Sequence, residues 1–368
     1  MHDFFKSHIT HVQTDQIRIK SDSGFVPWLK KREASLALTT YQAGKILFFS
    51  ANPNETLSIY NRNFERCMAL SIAEDTLYLS SLFQLWSFRD VLGKGDTTSD
   101  GFDAVYAPRF SWITGDLDIH TIIKAAGHED PLFVNTLFSC IARPSQKDSF
   151  VPLWQPPFIS KLAPEDRCHL NGLTLRQGVP RYVSAVSRTD SYEAWRDHRK
   201  DGGIVMDIQN NDVICEGLSM PHNPHWHNDN LYLLQAGTGE FGIVDLEHGG
   251  FVPKLFIPGY LRGLEVIENY AILGVSQPRH NKTFSGLELD DNLEQHGMDP
   301  VCGLVIIDLI ENRIIHGLWF EGIISEVYDV AVLPGKKKPS MVGVDGEEIR
   351  RVLSIGEAET FESKTPAI

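Results

Sequence analysis

Pro131-Leu132-Phe133-Val134-Asn135-Thr136 has a counterpart further on, Pro180-Arg181-Tyr182-Val183-Ser184-Ala185. Each is a short β-branched and aromatic run that stops on small polar residues, the pattern of a half-buried or fully buried strand. A histidine precedes both at the same interval, His120 ahead of Phe133 and His169 ahead of Tyr182. A second pair matches in the same way: Thr76-Leu77-Tyr78-Leu79 with Asn230-Leu231-Tyr232-Leu233, and Met68 and His222 stand equally far upstream. Downstream, Gly203–Asp207, Phe241–Asp245 and Gly303–Asp308 form another recurring strand, each ending on Asp before a polar turn. A further strand returns at Asp212–Cys215, Phe251–Leu255 and Arg313–Gly317.

Four strands recurring over roughly 40 to 50 residues is the signature of a propeller blade. The expected fold is therefore all-β, a single β-propeller over residues 35–355, with an N-terminal extension (1–34) and a C-terminal tail (356–368). Blade starts near Ser35, Glu65, Asp116, Asp166, Ser219, Tyr260 and Ser325 give seven blades, or six if the short first and last units merge into one closing blade. A pair of β-sandwiches is the alternative, but no Pro/Gly/Ser-rich linker divides the chain. Helical periodicity is confined to Ile119–Ala126 and Ser191–Arg199.

Composition narrows the function. The chain has 368 residues, 42% of them hydrophobic, and a formal net charge of −14. That balance argues against a general grip on nucleic acid or an anionic membrane, which needs clustered Lys and Arg. Lys336-Lys337-Lys338, flanked by Gly335 and Pro339, reads as a solvated turn. With no apolar leader or membrane-length run, and five scattered cysteines without a CxxC, the expectation is a cytoplasmic protein with reduced thiols. GxSxG and Walker A sequences are absent, and Gly237-Thr-Gly239-Glu-Phe-Gly242 runs into a strand and reads as a blade turn.

In a propeller the innermost strands line a central channel, and the residues leading into them meet at one mouth. Those segments contain His120, His169-Leu-Asn171, His222-Asn-Pro-His225, Arg262 and Glu326-Val-Tyr-Asp329. Histidines at matching places of consecutive blades suit a divalent transition metal (Fe, Mn, Zn or Cu), and three imidazoles leave positions open for water or substrate. The expected ligands are His120, His169 and His222, with His225 the rival third ligand and His227 a weaker one. Asp118, Glu326 or Asp329 would be a fourth ligand, a base or an imidazole acceptor. Arg262 would clamp an anionic group, and Asn171 reads as a turn residue or a channel contact in the catalytic set. Arg109, near Trp112, is a second anion candidate or a partner in a salt bridge. The rival to a metal is a polar channel in which these groups satisfy one another or hold an anion. The apolar loop Phe150–Phe158 either packs on the ring or lids the mouth, with packing favoured.

Glu165-Asp-Arg-Cys-His-Leu-Asn-Gly172, Leu218-Ser-Met-Pro-His222, Pro258-Gly-Tyr-Leu-Arg-Gly-Leu264 and Val134-Asn-Thr-Leu-Phe-Ser-Cys140 resemble a family of conserved bacterial proteins of unknown function, over roughly Ser35 to Gly335. The resemblance implies no activity. In layout the chain is distantly similar to metal-centred propellers: carotenoid-cleaving oxygenases, oligogalacturonate lyases and gluconolactonase-like enzymes. It departs from each, with three placed histidines instead of four and no Glu–Asn–Asp set. The expected function is a metal-dependent oxidoreductase, oxygenase or lyase acting on a small polar or peptidic substrate. The alternatives are a scaffold that binds a peptide or protein partner, and a metal-free lyase or epimerase.

Overall fold

The computed structural model describes residues 10–14, 17–278 and 285–356. Six sheets form six blades around one axis. Their innermost strands are Leu70–Ala73, Ile119–Ile123, Leu170–Arg176, Pro221–His227, Tyr260–Ile267 and Asp329–Pro334, each beside the next around the ring. The seven-blade count is corrected to six, because the first and last units are one blade. Asp329–Pro334 pairs antiparallel with Ala34–Thr40, from Asp329 opposite Thr39 to Pro334 opposite Ala34. The C-terminal region thus supplies the innermost strand of a sheet whose other three strands come from the N-terminal region. Closing the ring this way covers Ala34–Thr40, which would otherwise be the open edge of its sheet.

The middle strands of each blade are covered on both faces by neighbouring blades, which explains their continuous apolar runs. Every residue of Thr76–Ser80, Leu132–Asn135 and Gly203–Asp207 is buried. Outer strands such as Gly250–Phe256 are only partly covered. Ile119–Ile123, expected to be helical, is an inner strand. Its β-branched residues Ile119, Thr121, Ile122 and Ile123 lose χ1 freedom in a helix, and pairing to Leu132–Asn135 decides the outcome. Ser191–Arg199 does contain a short 3₁₀ helix, Ala194–His198.

Stretch 1–34 supplies strands Thr10–Thr14 and Ile17–Ser21, which extend the blade containing Tyr260–Ile267, and helix Phe25–Arg32. That helix seats Phe25 and Leu29, both fully buried, in a cluster with Leu36, Phe49 and Ile306. Residues 357–368 of the expected tail lie outside the described residues.

Hydroxyl groups at the ends of the second strands tie four of the six blades to the next. Thr39 donates to the Met68 carbonyl, Ser80 to Ile119, Thr136 to Leu170 and Ser276 to Val327. Each satisfies a carbonyl where the next inner strand begins, so the ring is held at the mouth where the histidines emerge. Phe150–Phe158 packs on the ring: Val151–Trp154 is an outer strand and Phe150 lies 4.9 Å from Phe138. The three lysines are engaged, with Lys336 2.7 Å from Asp90 and Lys337 2.5 Å from Glu33. Among the described residues no helix is long and apolar enough to cross a membrane.

Candidate functional site

The mouth at the start of the inner strands opens into a cavity of about 540 Å³ lined by His120, His169, Arg262, Tyr328, Asp118 and Asp166, among others. His222 lies against this cavity without lining it, with its ring 6.4 Å from that of His120. The rings of His120 and His169 are 4.9 Å apart.

Local backbone geometry fixes how these rings face. Asp118 and Met220 both take left-handed conformations, with φ of 53° and 48°. The turn aims each carbonyl at the histidine two residues on: His120 Nδ1 is 2.9 Å from the Asp118 oxygen and His222 Nδ1 is 2.9 Å from that of Met220. A carbonyl oxygen only accepts, so Nδ1 carries the proton in both rings. His169 has its own left-handed φ of 50° and gives its Nδ1 proton to Asp166 Oδ2 at 2.8 Å. Asp166 Oδ2 also accepts from Trp195 Nε1 at 2.8 Å, and the Trp195 ring stacks 4.1 Å from His169.

All three imidazoles therefore keep Nε2 as a free lone pair while neutral. Burial holds His120 down to about 3, reinforced by His169 and Arg262 against the pull of Asp118. Burial, then Arg262, holds His222 well below the usual histidine range. His222 Nε2 is a buried atom with no hydrogen-bond partner among the described residues. Burial alone would raise Asp118, but His120, His169, Arg66 and Arg262 keep its carboxyl below the usual range.

The structure separates the expected set. His225 lines the opposite mouth of the channel, a cavity of about 280 Å³, with Glu265, Asp329 and Asn223. Its Nε2 is 3.8 Å from Glu265, and it lines a different cavity from His120 and His169. Asp329 faces the same second mouth and accepts backbone N–H groups from Leu70 and Val330. Glu326 is buried beside Arg262, with 3.8 Å between Oε1 and Nη1. Asn171 is spent between blades: Nδ2 donates to the Pro221 carbonyl and Oδ1 accepts from Ser184.

Asn171 also revises the repeat. Ile119, Leu170 and Pro221 begin their inner strands, so Asn171 is the counterpart of His120 and His222. His169 sits one residue before its strand and reaches the cavity by a different turn. Arg109 is on the outer surface, bonded to Ser354. His227 lies at the far end of its inner strand.

Sequence reading missed Trp195, Glu193 and Arg196, which line the first cavity from an insertion between the second and third strands of the His169 blade. Its signals were length beyond an ordinary blade turn and the helical periodicity over Ser191–Arg199. Tyr328 was overlooked between two acidic candidates.

A protein-family model described as a domain of unknown function, DUF4915, matches residues 23–342. No curated protein matches the chain. Among solved structures, a chain of a nidogen/laminin complex is similar with TM-score 0.50 and 11% identity, covering 82% of this chain and 99% of that one. Virginiamycin B lyase from Staphylococcus aureus has TM-score 0.42 and 10% identity, covering 86% and 99%. A protein of unknown function from Bacteroides caccae has TM-score 0.47 and 11% identity, covering 82% and 98%. At these identities the likeness shows the propeller fold alone.

Proposed function

This chain belongs to the DUF4915 family, whose description leaves function open, and we propose from the site alone that it is a lyase-type enzyme working at the first channel mouth with a divalent transition metal. The observation that carries the reading is the set of three imidazoles whose Nδ1 atoms are bonded to Asp118, Asp166 and Met220, which leaves Nε2 of each ring to face a ligand. Metal-bound histidines are held in this way, with the far nitrogen on a carbonyl or carboxylate.

The residues fit such an ion in donor type and burial, the orphaned Nε2 of His222 above all. His120, His169 and His222 would hold it. When bound, the metal would act as a Lewis acid on a substrate oxygen. The remaining chemistry belongs to the chain: Asp166 orients His169, and Trp195 shields that pair from water. A neutral imidazole in the cavity can take a proton from substrate at neutral pH.

A metal-free version of the same acid–base reaction is the second reading. It is favoured by the spacing, since among the described residues no three His, Cys, Asp or Glu side chains stand ready as a metal shell. Elemental analysis of the purified protein, before and after incubation with Zn, Mn, Fe and Cu, decides between them. One bound ion per chain, lost in His169→Ala, is the expected result. Protein that neither carries nor takes up a stoichiometric ion overturns the metal and leaves the imidazole chemistry as the reading.

A further inference from the structure

The floor of the first cavity contains a second set of unspent groups. The Arg262 side chain is 7% exposed, and its buried Nε has no hydrogen-bond partner among the described residues. The closest carboxylate oxygen, on Glu326, is 3.8 Å away, beyond hydrogen-bonding reach. Its ring contacts are to faces that accept no strong hydrogen bond: the guanidinium carbon is 4.7 Å from the Tyr328 centroid and 5.5 Å from that of Tyr260. The buried Tyr328 hydroxyl likewise has no partner among the described residues. A buried guanidinium presents five donors and a phenol one, and leaving such groups unsatisfied is costly enough that native proteins rarely do so.

We infer that Arg262 and Tyr328 form the subsite for a carboxylate on the substrate, which is a small organic mono-anion. The charges around the cavity select the mono-anion. Arg66 is held by Asp116 at 2.6 Å and Asp118 at 3.2 Å, and Arg196 by Glu193 at 2.9 Å. With Asp166 included, the lining carboxylates outnumber its arginines by one in formal charge. Among the described residues, Arg262 is the one lining arginine with no lining carboxylate bonded to it, so it can pair with one negative charge. The second charge of a dianionic phosphate would stand unmatched against the surplus of acids. A planar carboxylate also matches the guanidinium fork. The wall above the subsite is aromatic, with Tyr41 stacked 5.8 Å from Tyr328. This deepens the reading of the first mouth as the active site and does not depend on its metal.

The test is therefore run on chelator-treated protein, by ligand-observed NMR titration with benzoate, benzamide and phenyl phosphate. Benzoate is expected to bind, with benzamide and phenyl phosphate each weaker by tenfold or more. Tyr328→Phe, which removes one oxygen from a folded core, should weaken benzoate about tenfold, and Arg262→Lys more than that. His225→Ala, at the other mouth, should leave binding unchanged. Equal binding of benzamide, or unchanged benzoate affinity in both Tyr328→Phe and Arg262→Lys, overturns the subsite. Tighter binding of phenyl phosphate than of benzoate overturns its assignment to a carboxylate.

Discussion

The two mouths of the channel are made by the same six strands, read from opposite ends, and their polar groups differ in what they have left to bond. At the second mouth Asn223, Thr174 and Asp329 are spent on the fold. Asn223 accepts from Gly263 N–H, Thr174 from Trp226 N–H, and Asp329 from Leu70 and Val330 N–H. At the first mouth Arg262, Tyr328 and His222 hold buried donors and acceptors without partners among the described residues. Each unsatisfied buried group costs about 1–3 kcal/mol, which folding alone gives no reason to retain. A satisfied mouth is explained by stability, and an unsatisfied one needs a ligand to explain it.

The sharpest way to break this contrast is to delete one histidine from each end. His169→Ala should lower bound metal and turnover by at least about a hundredfold, while His225→Ala leaves metal content within error, as elemental analysis would read. Equal losses would mean that the channel works as one site. Next in size is Asp166→Asn, which retains the shape of the side chain but weakens the acceptor for His169. Metal affinity should fall about 10–100-fold in a chelator competition, with the fold unchanged by circular dichroism.

The second mouth makes its own prediction, through stability. Burial, against the N–H bonds of Leu70 and Val330, lifts the Asp329 carboxyl from 3.8 to about 7. A carboxyl raised in the folded state stabilises fully below its unfolded pKa and loses that contribution as pH rises through the folded one. The stability of wild type relative to Asp329→Asn should therefore fall between about pH 4 and pH 7, by on the order of 2 kcal/mol, in urea titrations at the two pH values. A difference independent of pH would show that Asp329 is ionised throughout. The smallest effect is expected for Thr136→Ala, which unties one blade from the next. It should cost about 1 kcal/mol of unfolding free energy, and because the hydroxyl also lies 2.8 Å from His120 Nδ1, bound metal should change, but less than in Asp166→Asn.

Much of this was legible because the repeat is carried by residues that do the same work in each blade. The buried runs ending on Ser, Thr or Asn betrayed the second strands, and the segments ahead of them named the channel. Two things were not legible. Sequence alignment matched His169 to His120, because an equal interval to the next strand cannot reveal that the His169 blade spends its inner position on Asn171. Nor could a list of channel residues say which mouth each faces. Every inner strand crosses the whole channel, and three residues after His222 the chain has already passed from one cavity to the other at His225. The insertion carrying Trp195 belongs to no repeat, so its helical periodicity could be read but not its place against His169.

The swapped closing strand has a consequence for how the protein is born. On the ribosome, the N-terminal strands Ala34–Thr40, Lys45–Ala51 and Leu57–Asn63 must wait for Asp329–Pro334 to be synthesised before their sheet is complete. Until then Ala34–Thr40 offers an open edge, and Tyr328, adjoining the last strand to arrive, is not yet in place over Arg262. The nascent chain can fold blades but cannot assemble the site. The late synthesis of that strand makes the exposed edge a natural client for chaperones and a point of vulnerability to truncation.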